Sequence, residues 1–274
     1  LDYHMAFAAI DTNMLGLIGA NGEFDIYHGG LRARDAHGGT IFDHVDYTRY
    51  SDYLREGVKN WSYMKFPFIE ALGEDAGWYR VGPLARVNNC DHFSTPLAEE
   101  QRKLFKEAGH GRPVQASLAF HWARLIELLY CAEAIRELLQ DPDLGGTDLL
   151  NKGELQDTGI GVIEAPRGTL FHHYEIDDDG IVNKANLIVS TTNNNQAMNE
   201  SIRQVAGMYL DGKQLTEPLL NQIEVAIRAY DPCLSCATHA MGKMPLEVVL
   251  VNEQNEVVDR LEKRINGDIQ RTYP

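Results

Sequence analysis

The feature that most constrains this chain is a short run, here named the cysteine segment, that gathers thiol and imidazole groups at one point. It reads Asp231-Pro232-Cys233-Leu234-Ser235-Cys236-Ala237-Thr238-His239 and holds two of the four cysteines in the 274 residues. On a helical turn or a tight loop, this spacing aims Cys233, Cys236 and His239 at a common place. Thiolates select soft or borderline metals such as zinc, nickel and iron. The cysteine segment therefore predicts a metal site or a reactive dithiol.

Spacing alone leaves several kinds of site open. Half of a four-ligand zinc site is one alternative, but such sites need a second Cys or His pair, and the sequence has no second CxxC. Cys90 and Cys131 are too far apart in sequence to form a knuckle. A redox dithiol is another alternative, yet that motif precedes a helix, whereas here the predicted helix comes before the cysteines.

Two other polar segments are candidates for a site. Arg167 lies in Glu164-Ala165-Pro166-Arg167-Gly168-Thr169, between a stiff proline and a glycine. Such an arginine is either a surface turn residue or a fixed fork of donors aimed at an anion or a reacting centre. The hexad Ser190-Thr191-Thr192-Asn193-Asn194-Asn195 follows an apolar strand end. It predicts either helix capping ahead of Met198 or a set of donors beside a buried anion.

Charge and cysteine usage exclude some classes of partner. A net charge of −15 repels phosphate backbones, so nucleic acid is not expected as a partner. No apolar run approaches the ~20 residues of a membrane span, and no signal peptide is recognisable. Isolated Cys90 and Cys131 fit a reducing cytoplasm rather than a disulfide framework. The chain opens on Leu1 within a helix-like pattern, so we expect it to have lost its natural beginning.

The apolar patterns predict a helix-rich α+β fold. In the first part we expect a helix at 1–18, a small antiparallel meander at 24–45 forming a surface flap, a helix at 48–60 and extended, irregular chain at 78–92. We expect helices from Pro96 to about 108, over 115–140, from 198 to 212 and from 216 onward, with strands within 159–192 and a hairpin at 246–261. In the helix at 115–140, the predicted core face is Leu118, Trp122, Leu125, Leu129 and Ala132. Residues 240–274 are expected to be an appendage.

Arginine turn, hydroxyl-rich hexad and cysteine segment, in this order, resemble the C-terminal part of the large, catalytic subunit of nickel–iron hydrogenases. Asp-Pro-Cys-x-x-Cys-x-x-His resembles that family's C-terminal signature, and Glu-Ala-Pro-Arg-Gly-Thr-Leu resembles its second hallmark. Tyr79–Arg86 and Asn186–Thr192 look like the cytoplasmic, NAD-linked bidirectional branch. The resemblance covers essentially the whole chain. It implies a mainly helical bundle with small peripheral β-sheets, with residues 1–239 as the C-terminal part of the large-subunit domain.

The resemblance also implies a role for each matching residue. Cys233 and Cys236 would be two of four nickel thiolates, with Cys236 bridging to an iron that carries carbon monoxide and two cyanides, a Ni-Fe(CN)2(CO) centre. Arg167 would donate to one cyanide and act as the base, or proton-positioning group, in heterolytic H2 splitting. The other implied positions are Thr191, donating to the second cyanide; Pro166 and Val189, walling the diatomic ligands; Asp231, orienting Arg167 or a water; and His239 with the carbonyl of Leu187, binding Mg2+.

Two departures from the family's pattern carry expectations of their own. The family's other cysteine pair, in an Arg-x-Cys-Gly-x-Cys motif, is absent, and so is a proton-relaying glutamate near it. The chain is therefore expected to be a fragment that is inactive alone. It also continues past His239, where a nickel-dependent endopeptidase cuts in the family. Residues 240–274 would then be the extension of an immature precursor, removed on maturation.

The resemblance implies reversible H2 oxidation coupled to NAD through partner subunits. Electrons would leave through a small subunit with iron–sulfur clusters and through diaphorase (flavin/NAD) subunits, since no cysteine set in this chain could ligate a cluster chain. A maturation endopeptidase and assembly chaperones are further expected partners. The alternatives are a metal-binding scaffold or assembly protein derived from a large subunit, and a zinc-stabilised interaction domain. Arg167 and Thr191 favour the enzyme, because a scaffold needs neither.

Overall fold

The computed structural model describes residues 5–150, 152–210, 214–233, 246–264 and 266–272. It is a mixed fold with 36% helix and 31% strand, which agrees with the predicted α+β class. The strands are β1 (Asn13–Ile18), β2 (Gly30–Arg34), β3 (Thr40–Val45), β4 (Leu54–Lys59), β5 (Ser62–Ile69), β6 (Tyr79–Arg80), β7 (Thr158–Ala165), β8 (Gly168–Ile176), β9 (Val182–Ile188), β10 (Leu246–Val251), β11 (Val257–Lys263) and β12 (Ile269–Thr272). The helices are α1 (Gly73–Ala76), α2 (Pro83–Asn89), α3 (Pro96–Glu107), α4 (Ala119–Leu138), α5 (Ser190–Asn193), α6 (Asn195–Tyr209) and α7 (Glu217–Ala229), with 3-10 turns at Tyr47–Asp52, Glu70–Leu72 and Pro142–Gly145.

The first sheet has the strand order β3-β2-β1-β6, with β1 antiparallel to β2 and parallel to β6. The predicted helix over 1–18 is wrong for residues 13–18, because all six residues of β1 are buried and the strand is central in the sheet. A continuous apolar run fits a buried helix and a central strand equally well. The predicted surface flap is also wrong, since Leu31 and Ala33 on β2 are fully buried.

Residues 48–60 form a 3-10 turn and a strand instead of the predicted helix. Tyr50 and Leu54 lie four residues apart and are both buried, which produced the helical spacing. Beyond Leu54 the chain pairs antiparallel with β5, with Leu54 opposite Ile69. Val58 is 74% exposed, so the apparent helical face ends there. A long-range pairing partner decided this segment, and no local pattern reports it.

Residues 83–89, predicted to be extended and irregular, form helix α2. Pro83 occupies the first turn, the same start signal as Pro96 in α3. All seven residues of α2 are buried, so the helix has no polar face and no amphipathic period to detect. The helix packs on β1 on one side and on α4 on the other. This central position allows a residue of α2 to reach several elements at once.

The elements from α3 onward are close to their predicted positions. The helices α3, α4, α6 and α7 and the strands β7 to β9 all occur, and β7, β8 and β9 form one antiparallel sheet. The predicted hairpin at 246–261 forms as β10 and β11, and β12 adds a third strand. This last sheet packs against α7 through the buried Leu261. None of the helices in the described part of the chain is long and apolar enough to cross a membrane.

Candidate functional site

Arg167 lies at the tip of the β7–β8 hairpin, in the two-residue arginine turn that joins the paired residues Ala165 and Gly168. Gly168 has a φ of +138°, and a Cβ at this position would come within 2.2 Å of Val81 Cγ2. Gly82 has a φ of +94°, and its Cβ would come 2.7 Å from the carbonyl oxygen of Arg167. Only glycine fits at both positions. The two glycines thus allow the corner before α2 to contact the arginine turn directly.

Arg86 on α2 holds the arginine turn through its buried guanidinium, which is 3% exposed. Its Nη1 donates to the carbonyl oxygen of Ala165 at 2.9 Å, and its Nη2 donates to that of Pro166 at 3.2 Å. The remaining N–H groups donate to Glu127 at 2.6 and 2.7 Å and to Glu164 at 2.8 Å. All five donors of the guanidinium are therefore used. The backbone that leads into the arginine turn cannot shift without breaking this network.

Glu164 connects the same network to β1 and β8. Its side chain is 0% exposed, and it accepts hydrogen bonds from the Leu17 N–H at 2.8 Å and the Thr169 hydroxyl at 2.7 Å in addition to Arg86. Burial raises the pKa of Glu164, while Arg86 and these two donors oppose that shift. Burial lowers the pKa of Arg86, but Glu127 and Glu164 outweigh burial and its net shift is upward. Three donors on one carboxyl group favour its ionised form, so the network is a buried ion pair.

The polar hexad Ser190–Asn195 forms α5 and the start of α6, and it is buried throughout. Ser190 Oγ donates to the carbonyl oxygen of Gly168 at 2.7 Å, and Asn193 Nδ2 donates to that of Thr169 at 2.8 Å. The predicted capping role is wrong, because no side chain caps the N-terminus of α6. The hexad instead binds the start of β8 and holds the arginine turn from the side opposite α2.

The cysteine segment begins at the end of α7, next to the buried Tyr230. The Tyr230 hydroxyl lies 2.8 Å from Ser201 Oγ and donates to the carbonyl oxygen of Ala197 at 3.2 Å, both on α6. Asp231 follows with a φ of +50°, a left-handed conformation that Asp adopts more readily than most residues. The chain therefore turns sharply just before Cys233, from a point that is anchored to α6.

The arginine turn and the cysteine segment meet. Arg167 Nε donates to the carbonyl oxygen of Asp231 at 2.7 Å and lies 3.5 Å from its carboxylate Oδ2. The N–H of Cys233 donates to Thr191 Oγ1 at 3.1 Å. Four residues from three separate segments, all predicted to belong to one site, are thus brought together. The side chains of Arg167 and Asp231 are 41% and 49% exposed, so the described residues leave this location open to solvent on one side.

Positive groups surround Asp231. Arg124 on α4 donates from Nη2 to the carbonyl oxygen of Ala229 at 3.2 Å, at the C-terminal end of α7. Burial lowers the pKa of Arg124, and Asp231 opposes that shift. Burial, followed by the charge of Arg124, lowers the pKa of His121, which Asp231 again opposes. Nearby cations stabilise a thiolate relative to a thiol, so the charge distribution suits cysteines that bind a metal.

The other predicted site residues divide into two groups. Cys236 and His239 lie outside the described residues. Cys233 is disulfide-bonded in this structure, and a thiolate ligand requires that bond to be reduced. Val189 directly precedes α5, and Leu187 lies on β9. Within the described part of the chain, no group of three or more His, Cys, Asp or Glu side chains could hold a metal.

Sequence reasoning missed the residues that hold the site in place. Arg86 and Glu164 lie within the two quoted motifs but received no role, and Glu127 and Tyr230 were not identified. A signal was available for Arg86, because it ends the largely apolar run Val81–Ala85. A charged residue in a buried segment needs a partner of opposite charge, and that rule predicts a buried carboxylate without saying which one.

Comparison with known proteins agrees with this site. Residues 26–239 match the family described as nickel-dependent hydrogenase. The chain is 46% identical to the beta subunit of the NAD-reducing hydrogenase HoxS of Cupriavidus necator, over 93% of this chain and 53% of that protein. It is 42% identical to a vhc polypeptide of the F420-non-reducing hydrogenase of Methanococcus voltae, over 88% of this chain and 51% of that protein. The chain thus spans about half the length of the curated relatives that it matches.

Solved structures show the same fold. An NAD+-reducing [NiFe]-hydrogenase in the H2-reduced state has a TM-score of 0.83 at 50% identity, covering 87% of this chain and 53% of that one. The [NiFeSe] hydrogenase of Desulfovibrio vulgaris Hildenborough, at 19% identity and a TM-score of 0.62 over 87% of this chain and 55% of that one, shares the fold alone. These similarities confirm the predicted fold class. The chain belongs to the nickel-dependent hydrogenase family.

Proposed function

We propose that this chain is part of the catalytic subunit of a nickel–iron hydrogenase that oxidises H2 reversibly, with NAD as the final electron acceptor. The observation that carries the proposal is the meeting of Arg167, Asp231, Thr191 and Cys233 at one location. The NAD-reducing activity named for the HoxS relative supports the choice of acceptor. Since this chain spans about half of that relative, the activity is proposed for the assembled enzyme and not for the chain alone.

Cys233 and Cys236 would hold a Ni-Fe(CN)2(CO) centre, with Cys236 bridging the two metals. When bound, this group supplies the electron-rich, Lewis-acidic centre at which H2 is polarised. The described residues fit such a group in their donor chemistry, because the backbone of Cys233 is fixed by Thr191 and cations surround it. Two thiolates are half of the expected set of four. The other two would come from the part of the large subunit to which this chain has no counterpart.

Arg167 would donate to one cyanide and serve as the proton-positioning group. Its Nε is bound to Asp231, and its terminal nitrogens have no hydrogen-bond partner among the described residues, so they remain available as donors. Thr191 would donate to the second cyanide, since its oxygen accepts from Cys233 and its hydroxyl proton remains free for another acceptor. Asp231 would fix the orientation of Arg167. The further proposed roles are walls at Pro166 and Val189, and Mg2+ binding by His239 with the carbonyl of Leu187.

Replacing Arg167 by lysine in the nickel-loaded enzyme tests the proposed function. Lysine keeps the positive charge but lacks the planar fork of donors. We expect H2 turnover to fall by about 100-fold or more, as when an oriented donor to a reacting centre is lost, with the nickel content unchanged. The matched control is Arg203→Lys, since Arg203 lies on α6 with a side chain that is 76% exposed. Wild-type turnover in Arg167→Lys would refute the assigned role.

We also propose that residues 240–274 are an extension of the 1–239 domain that is removed once nickel is bound. Mass spectrometry of mature, nickel-replete protein should then give a C-terminus at His239. The same measurement on protein produced without nickel is the control, and it should retain the extension. Active enzyme that still ends at Pro274 would contradict the proposal.

Electron transfer away from the site would need partner subunits. The HoxS relative is named as one subunit of a hydrogenase, which supports a multi-subunit assembly. The partners we propose are a small subunit with iron–sulfur clusters, diaphorase subunits with flavin and NAD, and, during maturation, an endopeptidase and assembly chaperones. We place the assembly in the cytoplasm. No observation favours the alternative of a metal-binding scaffold.

A further inference from the structure

Helix α4 presents a second apolar face on the side away from the core. Its inner side is buried through Ala119, Phe120, Ala123 and Ile126. Its other side carries five residues that we name the outer seam: Leu125, Leu128, Ala132, Ile135 and Leu139. The exposures of the four large side chains in the outer seam are 63%, 64%, 57% and 66% in chain order. The sequence-predicted core face is therefore wrong at Leu125 and Ala132, because a helix that is apolar on both sides does not reveal which side is inside.

The spacing of the outer seam defines what can cover it. Successive members lie three, four, three and four residues apart, which is the spacing of a seam between packed helices. Leu138 lies beside the outer seam and is 62% exposed. It widens the apolar stripe to three positions in seven, the width typical of a helix inside a bundle. The occupant predicted by this pattern is an α-helix, or more than one, with a matching apolar stripe.

Exposed apolar residues continue beyond the end of α4. Leu144, Leu149, Leu150 and Leu155 are between 68% and 83% exposed. Of the 26 exposed large hydrophobic residues in the described part of the chain, nine lie between Leu125 and Leu155. Single exposed hydrophobic residues are normal, but such a concentration marks an interaction surface. The outer seam itself contains no charged residue and resembles a domain core cut in half, as in permanent rather than transient contacts.

We propose that the outer seam is the docking surface for helices from the part of the large-subunit polypeptide to which this chain has no counterpart. The chain covers 53% of the beta subunit of HoxS and 53% of the solved NAD+-reducing chain. The remaining length of these relatives is therefore large enough to supply the helices. The proposal rests on family membership and on the geometry of α4, so it does not depend on the proposed activity.

Cysteine labelling tests whether the outer seam is covered in a full-length subunit. Leu128→Cys is made in this 274-residue chain and in a chimera in which the chain replaces the matching region of the HoxS beta subunit. We expect a maleimide to label position 128 at least about tenfold more slowly in the chimera, because a covered side chain reacts only on local opening. Val58→Cys is the matched control, since Val58 is 74% exposed on β4 and should label equally in both proteins. Mass spectrometry of the labelled peptides separates position 128 from the native Cys131.

Equal labelling of position 128 in the chain and in a folded chimera would overturn the proposal. Protection in the chain alone that increases with protein concentration would assign the outer seam to a second copy and overturn it too. The same holds for protection that appears only after other hydrogenase subunits are added. If circular dichroism shows that the chimera does not fold, the rest of the HoxS beta subunit is co-expressed as a separate tagged polypeptide. Capture of this chain that Leu128→Glu with Ile135→Glu abolishes, and Val58→Glu does not, supports the proposal, and failure of capture overturns it.

Discussion

Replacing Arg86 by methionine tests whether the buried charge network stabilises the arginine turn. Methionine keeps much of the apolar stem but leaves Glu127 and Glu164 without the guanidinium. The Glu164 side chain is 0% exposed, so solvent cannot replace the lost partner. Removing one partner of a buried ion pair typically costs about 3–5 kcal/mol. We expect a loss in the upper part of this range, because both carboxylates and two backbone carbonyls lose their donors.

The loss should depend on pH in a defined direction. Without Arg86, the pKa of Glu164 in the folded state rises further, because burial then acts without an opposing charge. A carboxyl group whose pKa is raised on folding destabilises the fold above that pKa, and the penalty disappears below the pKa of the unfolded chain, about 4.3 for Glu. The stability deficit of Arg86→Met should therefore be largest near neutral pH and should shrink as the pH falls toward about 4.

Urea unfolding of the chain at several pH values measures this deficit. Adding Glu164→Gln to Arg86→Met removes the unpaired buried charge and should recover about 1–3 kcal/mol. Arg203→Met is the control, because its ion pair with Glu200 involves an exposed arginine and should contribute about 0–1 kcal/mol. A deficit for Arg86→Met as small as that of the control, or one that stays constant from neutral to acid pH, would refute the buried-pair argument.

Two further substitutions test separate contacts. Gly82→Ala should lower the free energy of unfolding by more than about 1–3 kcal/mol, the cost of its backbone conformation alone, because the new Cβ also meets the Arg167 carbonyl oxygen. Gly73→Ala is the control, with a φ of +71° and no atom within 4 Å of its Cβ, and an equal loss in the two variants would show that the contact has no effect. Burial lowers the pKa of Lys106 to about 8, so the folded state loses this proton before the unfolded state does. Stability should therefore rise in wild type, and not in Lys106→Met, as the pH increases from about 8 to about 10.4; identical pH profiles would contradict this.

Elements with complete local signals were predictable from the sequence. Helix α3 has a proline in its first turn, and α4 ends before Asp141-Pro142. The turn Asp177–Gly180 separates β8 from β9 as its composition predicts. In each case the period, the end signals and the turn residues agree. The predicted site was recoverable for the same reason, since its motifs are contiguous in sequence and each one folds as a local turn.

The residues that support the site could not be predicted, because their contacts are long-range. Arg86 is separated by 41 residues from Glu127 and by 78 from Glu164. The sequence of α2 shows a charge inside an apolar run, and only the packing of α2 between β1 and α4 determines which carboxylates reach it. Strand β1 failed for a related reason, since its burial on both faces depends on β2 and β6.

Helix α7 connects the proposed site to the proposed extension. Along its length, Lys263 of β11 pairs with Glu224, so removal of residues 240–274 would take this contact away. At its C-terminal end, Arg124 binds the carbonyl group of Ala229, and Tyr230 is anchored to α6. These two anchors come from α4 and α6, which lie outside the extension. Cleavage would therefore expose one side of α7 without releasing the start of the cysteine segment, as a maturation step that follows metal insertion requires.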